Sequence, residues 1–206
     1  MGIAERKERE KEDVRRKILD AAHELFEAHG YENVTMRAVA DAIEYSPTTI
    51  YHYFENKDAL VEALCFADFE RLTSAMNSGP LPDNPVERMK ALGRAYAAFG
   101  LANPNHYRFM FMTGGEWKNH AKDPDTPPAK SYAVVREAVE QAIREGYFRK
   151  ADIDLVAQVV WSSIHGVVSL LITFKADQFP HVPPRPGLVE ESMEVTLRGL
   201  LAESKR

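Results

Sequence analysis

Apolar residues recur every three to four positions along most of the chain, the spacing of helices that bury one face. Val14, Ile18, Ala21, Ala22, Leu25 and Phe26 share a side of a predicted helix over about 9–29, ended by His29-Gly30. Short helices are expected at about 36–43 and 47–54. A longer one starts near Lys57 and carries Leu60, Leu64, Ala67 and Leu72. Further helices are read near 85–102, 104–113, 129–146, 152–175 and 187–203. No repeat and no strand pattern emerges, so the predicted fold class is all-α.

Helix starts are well marked. Ser46-Pro47, Asn84-Pro85 and Asn103-Pro104 each place a side-chain acceptor before a proline. Proline at a first helical position loses only an N–H that has no helical partner. Thr35, Asn56 and Asp152 are further caps. The stretch 77–84 (NSGPLPDN) reads as a turn or hinge. A long polar loop is expected over 114–128 and a second break over Phe179–Gly187. Leu155–Phe174 has about the ~20 residues of a membrane span. However, it includes Gln158, Ser162, Ser163, His165 and Ser169 and lacks basic flanks. It is therefore read as a helix buried on most sides by protein, with no membrane partner.

Composition narrows the class. The 206 residues carry 45% hydrophobic and 28% charged positions, ordinary for a globular protein. The single cysteine, Cys65, excludes an internal disulfide framework and fits a cytoplasmic location. The start, MGIAERKEREKEDVRRK, has no apolar core of a secretory signal. There is no glycine-rich phosphate loop and no serine elbow, so an enzyme is not expected. Seven histidines are scattered without metal-type spacing. A metal-responsive reading through His106, His120, His165 or His181 therefore finds no support, and neither metal nor cofactor is expected.

Residues 33–60 read NVTMRAVADAIEYSPTTIYHYFENKDAL. Val39, Ala40, Ile43, Ile50 and Phe54 make a small apolar seam between two short helices, and Ala40 and Ala42 allow their close approach. The second helix displays Thr48, Thr49, Tyr51, His52 and Tyr53, a surface rich in hydrogen-bonding groups and suited to a nucleic-acid groove. With the helix RRKILDAAHELFEAHGYENVT before it, this segment closely resembles the TetR family of repressors, over about a quarter of the chain.

The resemblance implies a helix-turn-helix at about 36–55 inside an N-terminal DNA-binding domain, residues 1–56. It implies a C-terminal helical ligand-binding and dimerisation domain over 57–206. Thr35 and the amides after it would meet a phosphate, with Met36 beside them. Arg37 would reach a base edge or phosphate unless it pairs with Asp41. Ser46, Pro47, Thr48 and Thr49 would lead the recognition helix. Tyr51, His52 and Lys57 would hold the DNA backbone, Tyr53 is also expected at the DNA, and base-edge contacts from Arg37 and Thr48 or Thr49 would carry specificity. The family usually has glycine where this chain has Glu44. A glutamate at positive φ there costs roughly 1 kcal/mol relative to glycine. Charge also runs against DNA binding: residues 1–60 hold nine Lys/Arg against thirteen Asp/Glu, and the whole chain is at −5.

The C-terminal half is rich in Met and aromatic residues. Met89, Tyr96, Phe99, Met110, Trp161 and His165 are the expected pocket residues for a small apolar or aromatic inducer, although plain core packing explains each of them too. For His165 the competing role is a satisfied core histidine. Trp161, His165 and Gly166 form W-x₃-H-G, similar to a C-terminal domain type of the family named for those residues. Val189, Met193, Thr196, Leu197, Leu200 and Leu201 make a stripe on the last helix; together with the long apolar helix before it, it is expected to form half of a four-helix homodimer interface. Two subunits would then offer two recognition helices to a palindromic double-stranded operator.

Overall fold

The computed structural model describes residues 2–112, 123–174, 178 and 186–205. The long loop 114–128 lies outside them up to residue 122, as do His120, His181 and most of the Phe179–Gly187 break. The described helices are α1 (Ile3–His29), α2 (Met36–Ala42), α3 (Pro47–Tyr53), α4 (Lys57–Met76), α5 (Pro85–Ala102), α6 (Pro104–Met112), α7 (Pro127–Arg144), α8 (Ile153–Thr173) and α9 (Leu188–Leu200). The chain is all-α; among the described residues the only sheet-like pairing is one bridge, Phe148 to Leu201.

Local chemistry sets these limits. Thr35, Ser46, Asn56, Asn84 and Asp152 each accept a first-turn amide through a side-chain oxygen. Asn103 behaves differently from the expected cap. Its Nδ2 donates to Phe99 O at 2.8 Å, closing the end of α5 rather than opening α6. Helix α1 starts earlier than the apolar pattern implies, because its first turns need no core. Arg6 pairs with Glu10 at 2.8 Å, one helical turn on.

Helices α1, α2 and α3 close around Ile18, Ala22, Phe26, Val39, Ala40, Ile50 and Phe54, all buried. Of the two alanines expected at the close approach, Ala40 is buried and Ala42 is exposed. Helix α4 continues from this unit into a bundle with α5, α6 and α7, and α8 and α9 pack on α5. Gly100 on α5 lets α6 and α8 approach: an added Cβ would stand 2.7 Å from Val168 Cγ1 and 2.8 Å from Tyr107 Cδ2.

Two expectations about the C-terminal helices change. Helix α8 has a mean hydropathy of 1.8, yet it is not buried on most sides. Val156, Ala157, Ile164 and Val168 face the bundle, while Leu155, Val159 and Leu170 face outward. Ser163 Oγ bonds Thr196 Oγ1 at 2.7 Å, fixing α8 to α9 as part of a protein bundle. The stripe on the last helix packs inside its own subunit, since Met193, Leu197 and Leu200 are buried against the core. The apolar residue that α9 exposes is Val195.

Candidate nucleic-acid interface and ligand cavity

The turn between α2 and α3 is closed by two bonds, Tyr45 N to Ala40 O at 3.0 Å and Glu44 N to Asp41 O at 3.3 Å. This is the paired closure of a helix whose next residue is left-handed. Glu44 holds that conformation at φ 58, the one non-glycine residue with positive φ among those described. The turn thus takes the glycine-type backbone with a glutamate in it.

Helix α3 is presented on this frame. Ile50 is its buried anchor, while Thr48, Tyr51 and His52 are exposed; Tyr51 is 53% exposed. Ser46 Oγ accepts from Thr49 N at 3.1 Å and bonds Thr49 Oγ1 at 2.9 Å, so these two hydroxyls are already engaged with each other. Pro47 and Tyr53 are half-buried. At the start of α2, Thr35 is exposed and its Oγ1 accepts from Ala38 N at 3.1 Å. Arg37 lies 4.0 Å from Asp41, both largely solvated, too loose a pair to hold the guanidinium.

Met36 departs from the expected set. It is 6% exposed and belongs to the core, so only its backbone faces the helix terminus. Lys57 is half-buried: Nζ donates to Tyr31 O at 2.5 Å and lies 4.0 Å from the Tyr31 ring centroid. It fastens the start of α4 to the turn after α1. Tyr31 in turn donates to Asp58 at 2.9 Å, and burial with that bond pushes its phenol up to about 12.

A cavity of about 590 Å³ opens between α4, α5, α6, α7 and α8, within the size range of ligand sites. Tyr96, Met110 and Trp161 line it, as the sequence suggests. Met89 lines a separate neighbouring crevice of about 30 Å³. Phe99 and His165 line neither. Phe69, Leu72 and Met76 from α4, with Tyr132 and Gln158, complete the wall and were not anticipated. Nothing in the local sequence of α4 marks them, because Phe69, Leu72 and Met76 repeat at ordinary core spacing. A larger groove of about 910 Å³ runs over the outer side of α4 beside Arg15, Glu62 and Glu70. It is more open than the aromatic cavity, and its lining is more charged.

His165 is half-buried, and both of its ring nitrogens have hydrogen-bond partners. Trp161 Nε1 donates to Tyr96 OH at 3.2 Å, and the Tyr96 and Tyr107 hydroxyls meet at 2.9 Å. Tyr107 OH lies 2.6 Å from His165 Nδ1, and His165 Nε2 is 3.3 Å from Ser169 Oγ. Burial lowers the His165 pKa from its ordinary value, favouring the neutral ring. We assign the proton to Nε2, so that Nδ1 accepts from Tyr107 and Nε2–H donates to Ser169. Burial pushes Tyr96 far up and Tyr107 up to about 12, so both phenols stay protonated as this chain of bonds requires.

Residues 18–64 match the family described as bacterial regulatory proteins, tetR family, and residues 89–200 match tetracyclin repressor-like, C-terminal domain. The chain belongs to the TetR family. The second match is to the general C-terminal description and names no Trp-His-Gly type. Over 62 residues the chain is 39% identical to the regulator UidR of Escherichia coli K12, 30% of this chain and 32% of that protein. The chain thus spans about a third of the length of the first curated relatives it matches. It is 27% identical over 168 residues to the repressor KstR2 of Mycobacterium tuberculosis, covering 73% of this chain and 79% of the relative. Among solved structures, a Rhodococcus sp. RHA1 protein of unknown function superposes with TM-score 0.76 at 23% identity, over 92% of this chain and 96% of that one. The ketosteroid regulator KstR2 of M. tuberculosis gives 0.61 at 21%, over 92% and 96%. The curated relatives it matches are named as transcriptional regulators and repressors.

Proposed function

We propose that this TetR-family protein is a cytoplasmic, dimeric repressor of a palindromic operator, released by an apolar or aromatic small molecule. The observation that carries the DNA assignment is the surface of α3, where Thr48, Tyr51 and His52 stand exposed while Ile50 is buried beneath them. Thr35, Arg37 and the amides opening α2 flank that surface for phosphate. Residues 1–56 form the DNA-binding domain on this reading and 57–206 the ligand-binding and dimerisation domain. Lys57 then serves mainly by bracing the junction.

Dimerisation is supported by the outward stripe of α8. Leu155, Val159 and Leu170 are 61%, 47% and 45% exposed, with Ser162 and Gly166 between them at helical spacing. An added Cβ on Gly166 meets nothing within 4 Å. Small residues there leave room for a second helix across a two-fold. On α9, Val195 is also exposed, at 63%. The cavity supports the ligand: its wall is largely aromatic and methionine, with Gln158, Ser162 and Tyr132 as polar groups. The description of KstR2 as a ketosteroid regulator favours a rigid apolar class of ligand. Tyr96 and Trp161 touch both cavity and hydrogen-bond chain, so a ligand there can shift α6 through Tyr107.

The test begins with selection of bound duplexes from a random pool. Tyr51→Ala should weaken binding to the selected operator about tenfold (roughly 1–3 kcal/mol per contact) and leave the dimer intact. Unchanged affinity for both Tyr51→Ala and Arg37→Ala contradicts the interface. Val159→Asp should yield monomers by light scattering, and a ligand that raises the melting temperature should lower operator affinity.

A further inference from the structure

Where α1, α4 and α6 meet, three side chains far apart in sequence converge. His23 comes from α1, Asp68 from α4 and His106 from α6, and one donor atom of each lies within 4.8 Å of the others. The two imidazoles stack with centroids 3.3 Å apart and planes 24° apart. His106 Nδ1 is 2.8 Å from Asp68 Oδ1. Asp68 is 2% exposed, and its Oδ2 has no hydrogen-bond partner among the described residues. Its nearby cation, Arg71, stands 3.7 Å from Oδ1 on a side chain that is 58% exposed. A buried oxygen without a donor costs about 1–3 kcal/mol, and more when charged. A bound cation would remove that cost.

We propose that His23, Asp68 and His106 form a site for a divalent transition metal, with Zn²⁺ as the probe, that ties α1 to α4 and α6. Two imidazoles and a carboxylate suit zinc and its neighbours, whereas Mg²⁺ and Ca²⁺ require oxygen donors throughout. Burial, followed by the neighbouring His106, lowers the His23 pKa, which favours a free ring lone pair at neutral pH. Tetrahedral zinc with bonds of about 2.0–2.1 Å sets its donors about 3.3 Å apart. A set spread within 4.8 Å draws in by up to about 1.5 Å on loading, and the stacked rings tilt to converge. Water or Glu27, whose Oε2 is 3.9 Å from His23 Nε2, fills the fourth position.

Helix α6 also carries Met110 and Phe111 in the cavity wall. Metal at His106 and ligand in the cavity therefore act on one helix, and His23 connects it to the DNA-binding unit. The effect on DNA rests on the regulator reading above; metal binding does not.

The experiment uses untagged, chelator-stripped full chain. Titration with Zn²⁺ against a chromophoric competitor should give one metal per chain, and Co²⁺ should show the visible bands of a four-coordinate site. His23→Gln and His106→Gln should each lose more than the roughly 10–100-fold that outer-shell partners cost, with circular dichroism confirming the fold. Failure of the parent chain to bind Zn²⁺, or full stoichiometry and affinity in the doubly substituted chain, overturns the site. Zn²⁺ should change operator affinity in the parent and not in the double variant. Binding of Zn²⁺ with unaltered operator affinity refutes the coupling alone, and Zn²⁺ binding without any DNA binding refutes the regulator reading alone.

Discussion

Replacing Glu44 by glycine should stabilise the protein and tighten its hold on DNA. Glu44 sits at φ 58 two residues beyond the end of α2, its side chain exposed. A left-handed L-residue costs roughly 1–2 kcal/mol. Glycine removes that cost but adds roughly 0.5–1 kcal/mol of unfolded-chain freedom, leaving a net gain of about 0.5 kcal/mol. Alanine is the control, since it removes the charge and keeps the Cβ. Charge contributes less: one unit charge about 10 Å from a phosphate in water feels about 0.4 kcal/mol before salt screening. Urea unfolding at a fixed protomer concentration measures the first term, because a dimer's midpoint moves with concentration. Gel-shift titration at two salt concentrations isolates the second. Glu44→Gly should be more stable than Glu44→Ala, and both should bind operator slightly tighter at low salt. A Glu44→Gly protein no more stable than Glu44→Ala would show that the turn stores no strain.

Other outcomes follow from packing and titration. Gly100→Ala should cost about 1–3 kcal/mol in urea unfolding, because Val168 and Tyr107 close on its Cβ position from two helices. Gly93→Ala should cost less, since its neighbour is the flexible end of Met193. Ser46→Ala should destabilise by about 1 kcal/mol through loss of the α3 cap; an unchanged midpoint would contradict that. His165 is held below its ordinary 6.5, so the unfolded chain takes up the proton first as pH falls. Its contribution is complete above 6.5 and is lost as pH drops from there through the folded value. The stability of His165→Gln should therefore fall less steeply between pH 7 and pH 5 than that of the parent, and equal slopes would rule this out.

Helix periodicity carried most of the architecture, because each long helix buries a single stripe that shows in one-dimensional spacing. The starts at Ser46, Asn84 and Asp152 were legible for the same reason: a cap is a local bond. Asn103 misled because the same side chain can cap a start as acceptor or an end as donor, and the choice depends on the preceding turn. What spacing cannot report is which subunit an apolar stripe faces. Met193, Leu197 and Leu200 look identical on paper whether they meet α5 or a partner. The α4 side of the cavity wall and the His23–Asp68–His106 cluster were hidden for a related reason. Their members lie tens of residues apart, on helices that each carry an ordinary core pattern.

Seven residues make α3, and only Ile50 among them is fully buried. Foldability and target choice are consequently written at different positions. Thr48, Tyr51 and His52 can drift, or be randomised, with little penalty to the scaffold that displays them. If α3 reads the operator as proposed, a library confined to these three sites would change the DNA target on an unchanged scaffold.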